Sequence, residues 1–270
     1  PTPTSGILTP TSGAVTPTPT HGVIDPIRVS PTATSTPIPT RKPTVTTAPV
    51  TPKPPVKGTV LLDEKSNAYY KVVSTGSTRT VQYSEYDGSE ESVTIPSTIT
   101  INKQSYKVTS IADSAFKNNK KLKKVYVGKN VTTIGKSAFS GCTALQKVTG
   151  CTNVKTIKDK AFYGCKKLTS MAMKSKLTSI GKSAFYKCTA LKKITIPAKV
   201  NKIGSKAFYG CKKLKTITIK TTKLTTGKVG SSAFKNIYKK ATVKVPSKKV
   251  SSYKTLLKKK GLSSSAKVKK

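Results

Sequence analysis

Apolar residues recur along most of this chain in one fixed frame. All six Phe belong to it: Phe116, Phe139, Phe162, Phe185, Phe208 and Phe234 follow one another at intervals of 23, 23, 23, 23 and 26 residues. Each is preceded by an Ala (Ala115, Ala138, Ala161, Ala184, Ala207, Ala233), and an aliphatic residue lies five positions earlier (Ile111, Ile134, Ile157, Ile180, Ile203, Val229). A period of roughly 20 to 30 residues marks a solenoid, in which each coil buries its apolar side only by stacking on its neighbours.

Within a coil, Leu122, Leu145, Leu168, Leu191 and Leu214 come six after the Phe. Pairs follow at nine and eleven: Val125/Val127, Val148/Gly150, Met171/Met173, Ile194/Ile196, Ile217/Ile219 and Val243/Val245. Spacing of two with β-branched residues predicts one short parallel strand per coil. The A-F-x-x-C-x-x-L segment, with its spacing of three, predicts a short helical turn on the other side. Strands stacked at ~4.8 Å make a sheet about 30 Å wide over six coils. The fold class expected is therefore a β-rich (α/β) solenoid with capped ends.

The flanks supply the caps. Gly58 to Tyr106 alternates like strands, with turn signals at Ser66-Asn67, Asp87-Gly88 and Asn102-Lys103. Val93-Thr94-Ile95-Pro96 repeats Ile194-Thr195-Ile196-Pro197, which predicts an incomplete first coil extended by a hairpin through Ile101 to Val108. After the last coil, Val250, Tyr253, Leu256 and Leu257 stand at helical spacing before Gly261, a capping helix. Residues 1–56 read Pro-Thr-Ser-Val without apolar periodicity, the composition of an extended linker. The organisation expected is thus a linker at 1–56, a β-rich cap at 57–106, the solenoid at 107–246, and a capping helix and tail at 247–270. The chain opens at Pro1 without a signal peptide, so it is expected to be a fragment of a longer exported protein.

The units IPAKVNKIGSKAFYGCKKLKTI (196–217) and VGKNVTTIGKSAFSGCTALQKV (127–148) resemble the BspA-type leucine-rich repeat of secreted and surface-displayed bacterial proteins. The resemblance covers about 95–246 and rests on the recurring I-G-x-x-A-F-x-x-C-x-x-L pattern. It implies an adhesin that binds host matrix or surface proteins; in some relatives such arrays are accessory modules of larger exported enzymes. The pattern is broken by Gly150 in a strand slot, by Lys240 in the Leu slot, and by three extra residues around Thr225 to Lys228.

Charge sharpens the question of partners. Residues 101–270 hold 43 Lys, no Arg and two Asp (Asp113, Asp159), which accounts for +41 of the formal net charge of +42. Doubled lysines (Lys120-Lys121, Lys166-Lys167, Lys212-Lys213) alternate with Thr143-Ala144 and Thr189-Ala190, so like pairs stand ~10 Å apart, near the screening length. One reading is a solvated lysine-rich surface. The other is attraction to an acidic glycan, a wall polymer or an acidic host or matrix protein. Without Arg in this region or any recognition motif, specific nucleic-acid binding is not expected, and no apolar run is long enough for membrane insertion.

Catalytic groups are scarce: the chain has one His (His21), placed in the linker, nine acidic residues and no Trp. Asp113 and Asp159 occupy the same slot two coils apart with Lys136 between them, a charge ladder rather than a glycosidase pair. Cys142, Cys165, Cys188 and Cys211 recur three after the Phe, where a small buried hydrophobe fits better than a zinc motif. Cys151 lies one residue beyond a strand, near the rim, and is expected to be exposed. No catalytic residue, metal or cofactor is expected. The predicted ligand-binding strip is the outward face of the strands: Lys124, Tyr126, Lys147, Thr149, Lys193, Thr195, Thr216, Thr218 and Lys220. A second column, Tyr163, Tyr186 and Tyr209, one after the Phe, is read as packing between coils, with a sugar-stacking platform as the other possibility. The function expected is a non-enzymatic extracellular binding or adhesion module; the alternative is a module that positions a catalytic domain lying upstream.

Overall fold

The computed structural model describes residues 54–86 and 88–270. The linker expected at 1–56 falls almost entirely outside them. The described chain begins with β1 (Val60–Asp63), β2 (Ala68–Ser74) and β3 (Thr80–Tyr86), an antiparallel meander in which Ala68, Tyr70 and Val72 bury alternate positions. Next come β4 (Ser92–Ile95), β5 (Thr98–Ile101) and β6 (Gln104–Ile111). Asn102 and Lys103 join β5 to β6 with φ of 50° and 60°, the two left-handed residues that a tight hairpin turn requires.

Four later coils contribute two strands each rather than one, and in the last Val229 makes only an isolated bridge to Ile203. The longer series is β7 (Lys124–Val127), β9 (Lys147–Gly150), β11 (Ser170–Met171), β13 (Lys193–Ile196), β15 (Thr216–Ile219) and β16 (Thr242–Lys244), interleaved with β8 (Thr133–Ile134), β10 (Thr156–Ile157), β12 (Ser179–Ile180) and β14 (Lys202–Ile203). The short strands hold the aliphatic residue five before each Phe. They pair in parallel from β6 through β14, so the cap's meander continues straight into the repeats. A glycine follows Ile134, Ile180 and Ile203, with Lys158 in that place after Ile157; adjacent coils meet closely there, and a Cβ on Gly204 would stand 2.4 Å from the Lys182 backbone nitrogen.

The A-F-x-x-C segment is a run of turns, not a continuous helix. Bonds such as Cys142 N–H to Phe139 O (3.2 Å) close three-residue spans, and the residue two before each Phe has positive φ, as at Ser137 (56°) and Lys160 (55°). The reason is spacing. Coils bonded at ~4.8 Å leave no room for one helix of about 10 Å diameter per coil. The turn backbone bonds to the next coil instead, as in Phe139 N–H to Ala161 O at 2.8 Å.

The Phe rings form a single internal column, with centroids 4.9 to 5.6 Å apart from Phe116 to Phe234 and every ring buried. The cap extends it: Tyr83 stacks on Phe116 at 5.2 Å, and Tyr70 meets Tyr83 edge-on. At the other end α1 (Val250–Lys259), entered through a 3-10 turn at Ser247–Lys249, buries Tyr253, Leu256 and Leu257. This helix is tied to the loop just before the extra residues of the last coil. The Tyr253 hydroxyl donates to Thr221 O (3.0 Å) and accepts from Leu224 N–H (3.2 Å). Beyond α1, β17 (Lys267–Lys269) pairs in parallel with β16 and covers its edge.

The longer strands do not make the continuous sheet that the spacing predicts. They form two, β4-β7-β9-β11 and β13-β15-β16-β17. The interruption follows from the third coil. β9 pairs with β7 through Gly150, after which Gly150 and Cys151 adopt left-handed φ, 76° and 56°, and β11 is only two residues long, pairing with β9 over Ser170 and Met171 alone.

Candidate binding surface

The outward strand positions come together as two short strips. In the first sheet Lys124 stands opposite Lys147 and Tyr126 opposite Thr149; in the second, Lys193 faces Thr216 and Thr195 faces Thr218. Lys220 follows β15 directly. The Lys are exposed, the Thr half-buried, and Tyr126 is 50% exposed, unusual for a large ring on this protein. Where the sheets part, a hollow of about 490 Å³ lies over Met171, Ala172 and Met173, edged by Lys174, Lys193 and Thr195.

Further members of the surface were not singled out from sequence. Thr242 and Lys244 stand opposite Thr216 and Thr218, and Lys267 and Lys269 on β17 extend the second strip. Thr242 and Lys244 sit at the same offsets from Phe234 as the other strip residues, so their signal was present. The Lys-Val-Lys alternation of β17 is too short to distinguish from a tail.

Lysine charge is left largely uncompensated. Among the described residues two ion pairs form, Lys123 with Glu91 and Lys158 with Asp113 at 3.3 Å. The Asp ladder serves stacking: Asp113 Oδ1 accepts the Lys136 N–H and Asp159 Oδ1 the Lys182 N–H, each at 2.7 Å from the following coil.

Cys151 is buried, 2% exposed, which corrects the expectation of a rim thiol. The left-handed turn at Gly150 and Cys151 swings its side chain inward, so the thiol supplies the buried group that Gly150 lacks. Burial pushes its pKa from the usual 9.0 to about 12, against reactivity. The other four thiols are also buried, and all five are free. Each repeat thiol donates to a Phe carbonyl, as Cys188 Sγ does to Phe162 O at 3.1 Å. Among the described residues no cluster of His, Cys, Asp or Glu is arranged to hold a metal ion. Tyr163, Tyr186 and Tyr209 do stack between coils, 4.7 and 5.1 Å apart and nearly parallel.

Comparison with known proteins agrees with this geometry. The model of the "BspA type Leucine rich repeat region" matches residues 109–241 in six copies. A leucine-rich repeat protein from Bacteroides ovatus is 26% identical, with a TM-score of 0.50, over 69% of this chain and 58% of that one. The T. pallidum leucine-rich repeat protein, at 22% identity and a TM-score of 0.54, shares the fold over 74% of this chain and 93% of its own. A protein from Faecalibacterium prausnitzii described as a leucine rich cell surface protein is 28% identical over 60% of this chain and 54% of its own, with a TM-score of 0.42. No curated protein matches the chain. A Phe column, a recurring I-G-x-x-A-F-x-x-C-x-x-L unit and the matched model together make residues 109–241 a BspA-type leucine-rich repeat region.

Proposed function

We propose that this chain is a non-enzymatic binding module of an exported, cell-surface bacterial protein, and that its ligand is an acidic glycan or wall polymer held along the lysine-edged strand face. The observation that carries the reading is the uncompensated charge: 43 Lys against two Asp over residues 101–270, with two ion pairs among the described residues. Such a surface raises the local concentration of polyanions and speeds their encounter. The two strips are shallow and open, with Thr hydroxyls between Lys ammonium groups, which suits an extended chain better than a small molecule. The Pro/Thr-rich composition of 1–56 supports display at a distance from an anchor.

The test is binding of heparin and of teichoic acid measured across salt. Affinity is expected to fall linearly on a log–log plot as counterions are released, by analogy with other polyanions. Lys124→Glu, Lys147→Glu and Lys193→Glu together are expected to weaken it about tenfold or more, a change of ~1.4 kcal/mol. No binding at ~150 mM salt, where surface charges are screened beyond ~8 Å, or indifference to the triple reversal, would overturn the reading.

A further inference from the structure

A separate site stands on the turn side of the coils. The position after each Phe reads Lys117, Ser140, Tyr163, Tyr186, Tyr209, Lys235, so three rings stack and the column then stops at a serine. At its far end Asn236 Nδ2 donates to the Tyr209 hydroxyl at 3.0 Å. Its near end is open. Gly141 N–H bonds to Tyr163 O at 2.7 Å, which holds Ser140 in the slot where a fourth ring would lie, and a serine is too small to cover a ring face. A hollow of about 530 Å³ occupies this side, lined by Lys117, Ser137, Ser140, Lys160, Tyr163 and Tyr186 among others, with no carboxylate in its lining.

We propose that the uncovered face of Tyr163 is a subsite for one acidic pyranose of a polysaccharide, a ligand contact independent of the strand face. Pyranose C–H groups present a faintly positive, apolar surface to the negative face of an aromatic ring. The Ser137 and Ser140 hydroxyls are suited to sugar hydroxyls, and Lys117, Lys160 and Lys182 around the hollow to a carboxylate or sulfate. The charge of the lining therefore selects an acidic sugar over a neutral one. A single-stranded nucleic acid is the rival for lysines beside tyrosines, but it needs successive ring faces for successive bases. Here the rings cover one another, and Tyr186 has a neighbour on both sides.

The experiment uses the full chain carrying Lys124→Glu, Lys147→Glu and Lys193→Glu, so that the strand face is disabled and the two sites fail separately. A heparin tetrasaccharide, maltotetraose and a short oligothymidine are titrated, with saturation-transfer NMR reporting contact between tyrosine protons and sugar. The heparin fragment is expected to bind with transfer to its ring protons. Adding Ser140→Tyr completes the ring column and fills the slot, and is expected to weaken binding about tenfold while melting temperature is held or raised. Lys117→Glu with Lys182→Glu, both exposed, is expected to weaken it similarly and gives the answer should Ser140→Tyr fail to fold. Unchanged binding in these variants, equal binding of maltotetraose, or preference for oligothymidine would each overturn the proposal.

Discussion

Cysteine shows at the scale of one residue how little of this chain is built for reaction. Four thiols repeat because the slot three after the Phe needs a small side chain that also satisfies a carbonyl of the preceding coil, as Cys165 Sγ does for Phe139 O at 3.1 Å. Cys151 reaches the same interior by a different route, through its left-handed backbone. A thiol reagent at pH 8 is therefore expected to label none of the five in the native protein and all five in denaturant. Burial raises the Cys151 and Cys211 pKa values from the usual 9.0 to about 12. The folded state thus keeps protons that the unfolded chain releases. That contribution to stability is complete below pH 9 and is withdrawn as pH rises toward 12, so across that window the wild type is expected to lose denaturant midpoint relative to Cys151→Val.

At the scale of the element, the intercoil distance overrides local preference. A spacing of three in A-F-x-x-C suggests a helical turn, and in isolation the segment is free to form one. Inside the stack, its backbone donors face the next coil. The same closeness bears on the glycine of I-G-x-x-A-F in the coils that carry it, whereas Ala112 and Lys158 occupy that slot in two others. Gly204→Ala, whose new Cβ would meet backbone atoms of Gly181 and Lys182 at 2.4 to 2.7 Å, is expected to cost about 2–3 kcal/mol in urea unfolding. Gly150→Ala adds left-handed strain to a Cβ placed 2.0 Å from Val127 O, and is expected to cost at least as much. Where an element has space outside the stack, propensity prevails, as in α1, whose buried Tyr253, Leu256 and Leu257 match the helical period.

For the whole molecule, two opposing quantities set stability: a continuous ring column and an unneutralised charge. Phe185 has stacked partners at 5.2 and 5.3 Å, so Phe185→Ala is expected to cost about 3–5 kcal/mol. Because solenoid stability is a sum of nearest-neighbour terms, the loss is also expected to broaden thermal unfolding or split it in two. Added salt should act the other way. With +41 over residues 101–270, melting temperature is expected to climb from about 10 to 300 mM NaCl as repulsion is screened. A melting temperature independent of salt would mean that the lysines are effectively neutralised in the fold.

Period, ring frame, cap positions and the outward strand face were all legible in the residues themselves, because each depends on a side chain repeated at the same offset from its Phe. The second strand of four coils, the parting of the sheet after Met171, the inward turn of Cys151 and the open face of Tyr163 were decided by the tertiary structure. Each depends on the distance and register between coils: two left-handed residues end one pairing, and a serine one coil away leaves a ring uncovered. Offsets along a chain name the side chains that repeat, while contact between coils determines which backbone groups and ring faces remain free.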